Sequence, residues 1–96
     1  MSGERRNARF DCNKKSHVEW NDITYPATVI NLSIVGDDMH LCVHFDGELP
    51  GVGVGDECGL FLLEEDNPYP FRYVAKVIRV GVSQIVVSIL SMHVRI

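Results

Sequence analysis

The sequence predicts an all-β protein folded as a six-stranded antiparallel barrel. The clearest observation is a period-two alternation over residues 39–45, which is typical of a strand with one buried face. Turn-forming residues also recur at short intervals, and no segment of about ten residues or more has a convincing helical period. Because closure removes exposed strand edges, short strands in this arrangement favour a closed barrel over an open sheet.

The first three strands are predicted over residues 13–20, 24–32 and 39–45. Asn21 and Asp22 end the first strand, since both residue types favour turns. The second strand is rich in β-branched residues, and its proline, Pro26, lies near the start, where a missing N–H is best tolerated. Between the second and third strands, Gly36 and two acids interrupt the alternation.

The last three strands are predicted over residues 57–63, 71–80 and 84–90. Asp46-Gly47 and Pro50-Gly51 mark the turn that precedes them. The acids and prolines between the fourth and fifth strands indicate an exposed loop, and Gly81 begins a hairpin turn between the fifth and sixth. We therefore expect a single domain over residues 1–96, consisting of a flexible basic arm at residues 1–9 and a barrel at residues 10–96.

Composition and charge exclude several classes of protein. Apolar residues make up 46% of the chain, too many for a disordered protein, and no apolar run is long enough to span a bilayer. A net charge of −4 argues against a general nucleic-acid binder, whose affinity depends on neutralising phosphates. The N-terminus lacks the apolar core of a secretory signal, and the three widely spaced cysteines suit reduced thiols, so we expect a cytoplasmic protein without membrane insertion.

No catalytic or metal-binding set stands out. Gly51, Gly53 and Gly55 precede a strand instead of opening a helix, which indicates a turn and not a phosphate loop. His40 and His44 share a strand face, but alternate strand residues lie roughly 6.6 Å apart, so we expect a solvent-facing stripe and no shared ion. Since no nucleophile motif is present either, we expect neither an enzyme nor a cofactor.

Two polar segments remain, in the N-terminal arm and at residues 31–36. Taken singly, they suit a solubilising tail and a polar turn with a glycine. Together they resemble the signature of the PilZ family, which is Arg-x-x-x-Arg in an N-terminal loop followed about twenty residues later by Asp/Asn-x-Ser-x-x-Gly. The residues that match the two motifs in order are Arg5, Arg9, Asn31, Ser33 and Gly36.

The resemblance implies a bacterial six-stranded β-barrel that binds cyclic di-GMP, often as an intercalated dimer of the dinucleotide. Arg5 and Arg9 would wrap the ligand from the arm, and Arg6 would add a phosphate contact. A guanidinium suits this role because it can bond the guanine O6 and N7 edge, hold phosphate oxygens or stack on the purine.

The second motif would supply the remaining contacts in this resemblance. Asn31 would bond a guanine edge, Ser33 would bond a base or phosphate, and Gly36 would let the backbone approach closely. The chain has Asn31 where aspartate is commoner in the family, and Val35 where many members have a second glycine.

The resemblance therefore implies a second-messenger sensor, in which cyclic di-GMP orders the arm and the altered surface recruits an effector protein. A degenerate PilZ domain that binds only protein is the alternative. A small barrel that binds RNA or single-stranded DNA would need aromatic stacking platforms and a basic groove. The aromatic residues here are few and scattered, so we expect no nucleic-acid partner.

Overall fold

All the strands found in residues 8–63 and 71–94, the parts of the chain that the computed structural model describes, belong to one antiparallel barrel. The closed barrel has the strand order β1-β2-β3-β6-β5-β4, and the prediction of a six-stranded antiparallel barrel is confirmed. The strands are β1 (Ala8–Trp20), β2 (Ile23–Val35), β3 (Asp38–Phe45), β4 (Glu57–Leu62), β5 (Phe71–Val80) and β6 (Gln84–Val94).

Three strands extend beyond their predicted bounds by three residues or more. β2 and β6 end later than the alternation indicates, and β1 begins at Ala8, so Arg9 belongs to a strand and not to the arm predicted over residues 1–9. The reason is long-range pairing, since Ala8 lies opposite Ile34 and Arg9 opposite Ser33. Residues 1–7 and the loop predicted at residues 64–70 lie outside the described residues.

The barrel consists of two three-stranded meanders, β1-β2-β3 and β4-β5-β6. Two seams, β3–β6 and β1–β4, join the meanders. Asn21 and Asp22 form the β1–β2 turn with φ of 56° and 65°, the left-handed conformation that two-residue hairpin turns require. Gly36 has φ of 63° in the β2–β3 turn, which favours glycine there.

The core lies inside the barrel and draws on every strand. Its aromatic member is Phe45, which meets the Tyr25 ring edge-on at a centroid distance of 6.2 Å. Burial of apolar surface of this kind is the main favourable term in folding. The other large core side chains with almost no exposed surface are Val18, Val43, Leu60, Val77, Ile85 and Val87.

The short strand β4 closes the barrel, and an ion pair reinforces it from its two neighbours. Arg72 of β5 donates from Nε and Nη2 to Glu19 Oε1 of β1 at 3.2 and 3.1 Å. The guanidinium carbon also lies 5.9 Å from the centre of the Phe61 ring. Gly59 leaves room for this arrangement, because a Cβ there would lie 2.7 Å from Arg72 Nη2.

We predict that Gly59→Ala destabilises the fold by about 1 to 2 kcal/mol, because the added methyl displaces Arg72 from its charge-assisted hydrogen bonds. Urea denaturation measures the free energy of unfolding. Gly47→Ala is the control, since a Cβ at Gly47 would meet nothing within 4 Å. An equal loss from Gly59→Ala in an Arg72→Ala background would contradict the explanation.

A second prediction concerns the Cys58 thiol in the core. Burial raises its pKa to about 11 from the ordinary 9.0, because a thiolate is poorly solvated inside the barrel. The folded state therefore holds this proton more tightly than the unfolded chain does. The resulting stability is fully present below pH 9 and is lost as the pH rises towards 11.

The expected loss over that pH range is up to about 3 kcal/mol in the free energy of unfolding, at about 1.4 kcal/mol for each unit of pKa shift. Urea denaturation under reducing conditions from pH 8 upwards, on wild type and Cys58→Ala, isolates the contribution. The Cys58→Ala protein should lose less stability than the wild type. Parallel pH profiles for the two proteins would show that Cys58 is not responsible.

Candidate ligand-binding cleft

One row of directly opposed residues crosses five strands on the outer surface of the barrel. At its centre, Cys42 of β3 lies opposite Val86 of β6, so the row passes over the β3–β6 seam. Asn31 of β2 flanks this pair on one side and Arg79 of β5 flanks it on the other. Asp11 of β1, opposite Asn31, completes the row.

A β-bulge in β2 turns Asn31 outward. Val29 is only 3% exposed, so strict alternation from it would also point Asn31 into the core. β2 has one residue more than β3 at this point, Ile30, and the register shifts between Val29 and Asn31. Two residues of β2 therefore face the single Cys42, and Leu32 takes the next position against the core.

A second bulge does the same for Arg79 in β5. Val77 is fully buried, so unbroken alternation would direct Arg79 inward as well. The register shifts between Val77 and Arg79, which leaves Ile78 as the extra residue opposite Val86. Ile78 and Arg79 are both exposed as a result. The two bulges thus flank the Cys42–Val86 pair from opposite sides.

Between the bulges lies an open cleft of about 320 Å³. It brings together Arg9, Asn31 and Ser33, three of the residues predicted from the sequence. Arg5 and Arg6 lie outside the described residues, so their predicted contribution stays a prediction. The full lining is Arg9, Asn31, Ser33, Val35, His40, Cys42, Arg79, Gln84 and Val86.

Gly36 lies just beyond this lining, in the β2–β3 turn. A Cβ at Gly36 would meet nothing within 4 Å, so no close approach of another described group requires a glycine there. The positive φ of the turn gives the physical reason for this glycine. Val35, which stands in place of a second glycine, lies in β2 and lines the cleft without any positive φ.

Sequence reasoning did not place His40, Arg79 or Gln84 in this site. His40 was predicted to belong to a solvent-facing stripe with His44, yet it is half-buried against the cleft, opposite Ser33. Arg79 and Gln84 come from the other meander, and only closure of the barrel carries them here. Only the direct pairing of β3 with β6 brings these residues to the cleft, and the local alternation of apolar and polar residues does not indicate that pairing.

The charges around the cleft are arranged to attract an anion. Burial raises the pKa of the Cys42 thiol, and the positive charges of Arg79 and Arg9 act in the opposite direction. Both guanidiniums therefore lie near the same thiol, although their strands stand on opposite sides of β3. None of the described residues that line the cleft is acidic.

Arg9 is held only loosely by its neighbour. Its Nε lies 3.5 Å from Asp11 Oδ1, and the two side chains are 69% and 83% exposed. An ion pair this exposed contributes little stability, so an incoming anion can replace Asp11 at low cost. Asp11 consequently acts as a weak competitor for any anionic ligand of Arg9.

Other kinds of site find less support in residues 8–63 and 71–94. No group of three or more His, Cys, Asp and Glu side chains in this part of the chain is placed to hold a metal ion. A separate depression of about 320 Å³ contains the Arg72–Glu19 ion pair together with Glu57 and Asp22, so its guanidinium is already neutralised. No described helix is long and apolar enough to cross a membrane.

No protein-family model matches this chain, and comparison with curated proteins gives no match. The resemblance to the PilZ family therefore stays a prediction from the two sequence motifs.

We predict that Asp11→Asn raises the affinity of the cleft for inorganic pyrophosphate by up to about fivefold, because it removes the competing carboxylate. Calorimetric titration at low salt, where exposed charges are least screened, measures the change. Asp22→Asn, at the β1–β2 turn outside the cleft, is the matched control. An equal gain from both variants would indicate a general charge effect and not competition for Arg9.

Proposed function

We propose that this protein is a PilZ-type sensor that binds cyclic di-GMP in the cleft between the two bulges and signals to a partner protein. The observation that supports this most is the convergence of Arg9, Asn31 and Ser33 on one cleft. These residues were singled out by two motifs that are separate in the sequence. The outward orientation of Asn31 and Ser33 depends on a bulge in β2 that neither motif encodes.

The chemistry of the three side chains suits a guanine nucleotide. The Arg9 guanidinium can form paired hydrogen bonds with phosphate oxygens or with guanine O6 and N7. The amide of Asn31 offers both a donor and an acceptor to a base edge, and the Ser33 hydroxyl can donate to a phosphate oxygen. Because Arg9 and Ser33 lie directly opposite each other, both can contact one nucleotide unit.

The basic arm has the length to take part. Arg5 precedes Arg9 by four residues, which an extended chain spans in at most about 14 Å. Since Arg9 is anchored in β1 beside the cleft, Arg5 and Arg6 can reach a ligand held there. In this proposal the arm closes over bound cyclic di-GMP, and the closed arm forms part of the surface that the partner recognises.

The second candidate function is a protein-interaction module that binds no nucleotide. The supporting observation is a groove of about 270 Å³ whose lining is apolar except for Lys14 and includes Leu32 and Leu62. Phe10 borders this groove with more than half of its surface exposed. Exposed apolar surface of this kind often marks a contact site for another protein.

Calorimetric titration with cyclic di-GMP, with GTP and GMP as controls, distinguishes the two candidates. We predict that Arg5→Ala and Arg9→Ala each weaken binding of cyclic di-GMP by roughly tenfold to a hundredfold or more, because each removes charge-assisted hydrogen bonds. Ser33→Ala should weaken it less, since the hydrogen bond of a neutral hydroxyl contributes only about 1 kcal/mol.

Lys14→Ala is the control, because it removes a positive charge of β1 that does not line the cleft. If Lys14→Ala weakens binding as much as Arg9→Ala does, the attraction is diffuse and there is no specific clamp. If the wild type gives no heat with cyclic di-GMP, the protein-interaction module becomes the better explanation.

A further inference from the structure

We propose that Arg79 is a second ligand-binding guanidinium, which holds cyclic di-GMP from the wall of the cleft opposite Arg9, so that the ligand spans the β3–β6 seam. This inference rests on the proposed function and adds a residue that belongs to neither motif. It also makes the size of the ligand a determinant of specificity.

The first argument is the bulge at Ile78. Without the extra residue, the alternation of β5 would turn Arg79 towards the core, where an unpaired charge is very costly. With it, Arg79 lies on the outer face directly opposite Val86 and lines the cleft. Bulges are common beside functional sites because they redirect a side chain in this way.

The second argument is that Arg79 has no partner within the described part of the chain. Arg72 pairs with Glu19, and Arg9 lies near Asp11. Arg79 forms neither an ion pair nor a hydrogen bond with any described residue, even though the chain carries a net charge of −4. Its guanidinium is therefore available to an external anion.

The third argument is the position of Arg79 relative to Arg9. Both charges act on the Cys42 thiol, which places that thiol within range of each guanidinium. The two arginine backbones, however, are four strands apart in the order β1-β2-β3-β6-β5. At about 4.8 Å between neighbouring strands, that separation is up to about 19 Å along the sheet.

A ligand that engages both walls can therefore offer one anionic or guanine group to each guanidinium, on either side of Cys42. Cyclic di-GMP carries two phosphates and two guanines on one ring, whereas GMP has one of each. In this arrangement a dinucleotide contacts Arg9 and Arg79 together, whereas a mononucleotide held by Arg9 and Ser33 does not reach Arg79. Gln84, at the start of β6 beside Arg79, adds an amide to the same wall.

The test compares Arg79→Ala and Arg79→Lys with wild type by calorimetric titration against cyclic di-GMP, linear diguanylate and GMP. Arg79→Ala should weaken binding of cyclic di-GMP at least tenfold. Arg79→Lys should recover part of the loss, because lysine keeps the charge but lacks the paired donors of the guanidinium. Binding of GMP should change less than threefold in either variant.

The matched control is Lys76→Ala, which removes a positive charge from an exposed position of the same strand outside the cleft. Equal thermal midpoints for all variants establish that the fold is intact, as expected for exposed side chains.

If wild type binds cyclic di-GMP and Arg79→Ala behaves like Lys76→Ala, this inference is wrong while the proposed function stands. If GMP binding falls as much as dinucleotide binding, the spanning arrangement is wrong. If wild type binds neither dinucleotide, both the inference and the proposed function are wrong.

Discussion

Two extra residues, Ile30 in β2 and Ile78 in β5, determine which side chains of these two strands face the cleft. In a strand that alternates without interruption from a buried valine, the residue two positions later also points into the core, even when it is polar. Each bulge changes that assignment for the rest of its strand. In β2 the core keeps its apolar lining through Leu32, and Asn31 and Arg79 reach the surface. The cleft and the charge within it follow from this shift.

The position of the bulges explains how much of the molecule could be predicted from its sequence. β3 was predicted almost to the residue because its alternation runs without a break over its whole length. Residues 8–13 at the start of β1 also alternate apolar and polar types, but Lys14 and Lys15 break the alternation, so the first strand was predicted only from residue 13, and pairing with β2 determines its true start. A bulge cannot be recognised from the sequence either, because the segment Val77-Ile78-Arg79-Val80 does not indicate whether Arg79 faces inward or outward.

The candidate site divides in the same way between local and long-range information. Arg9, Asn31 and Ser33 could be predicted because the spacing of residue types within the two motifs is visible in the sequence itself. His40 and Arg79 could not, because their proximity is a property of the closed barrel. The net charge of the chain also does not predict the charge of the cleft. At physiological ionic strength charges are screened beyond about 8 Å, so the two arginines near Cys42 control the potential of the cleft although the chain as a whole is acidic.

The division of the barrel into two meanders has a kinetic consequence. Contacts within β1-β2-β3 and within β4-β5-β6 join segments that are near in sequence, so we expect them to form early in folding. The β3–β6 and β1–β4 seams join distant segments, so we expect them to form late. The cleft lies across one of these late seams. A ligand that contacts both sides of the seam binds only when the two meanders are docked, and its binding therefore disfavours opening of the seam. Ligand binding would then slow amide hydrogen exchange in the barrel, including at amide groups remote from any contact with the ligand.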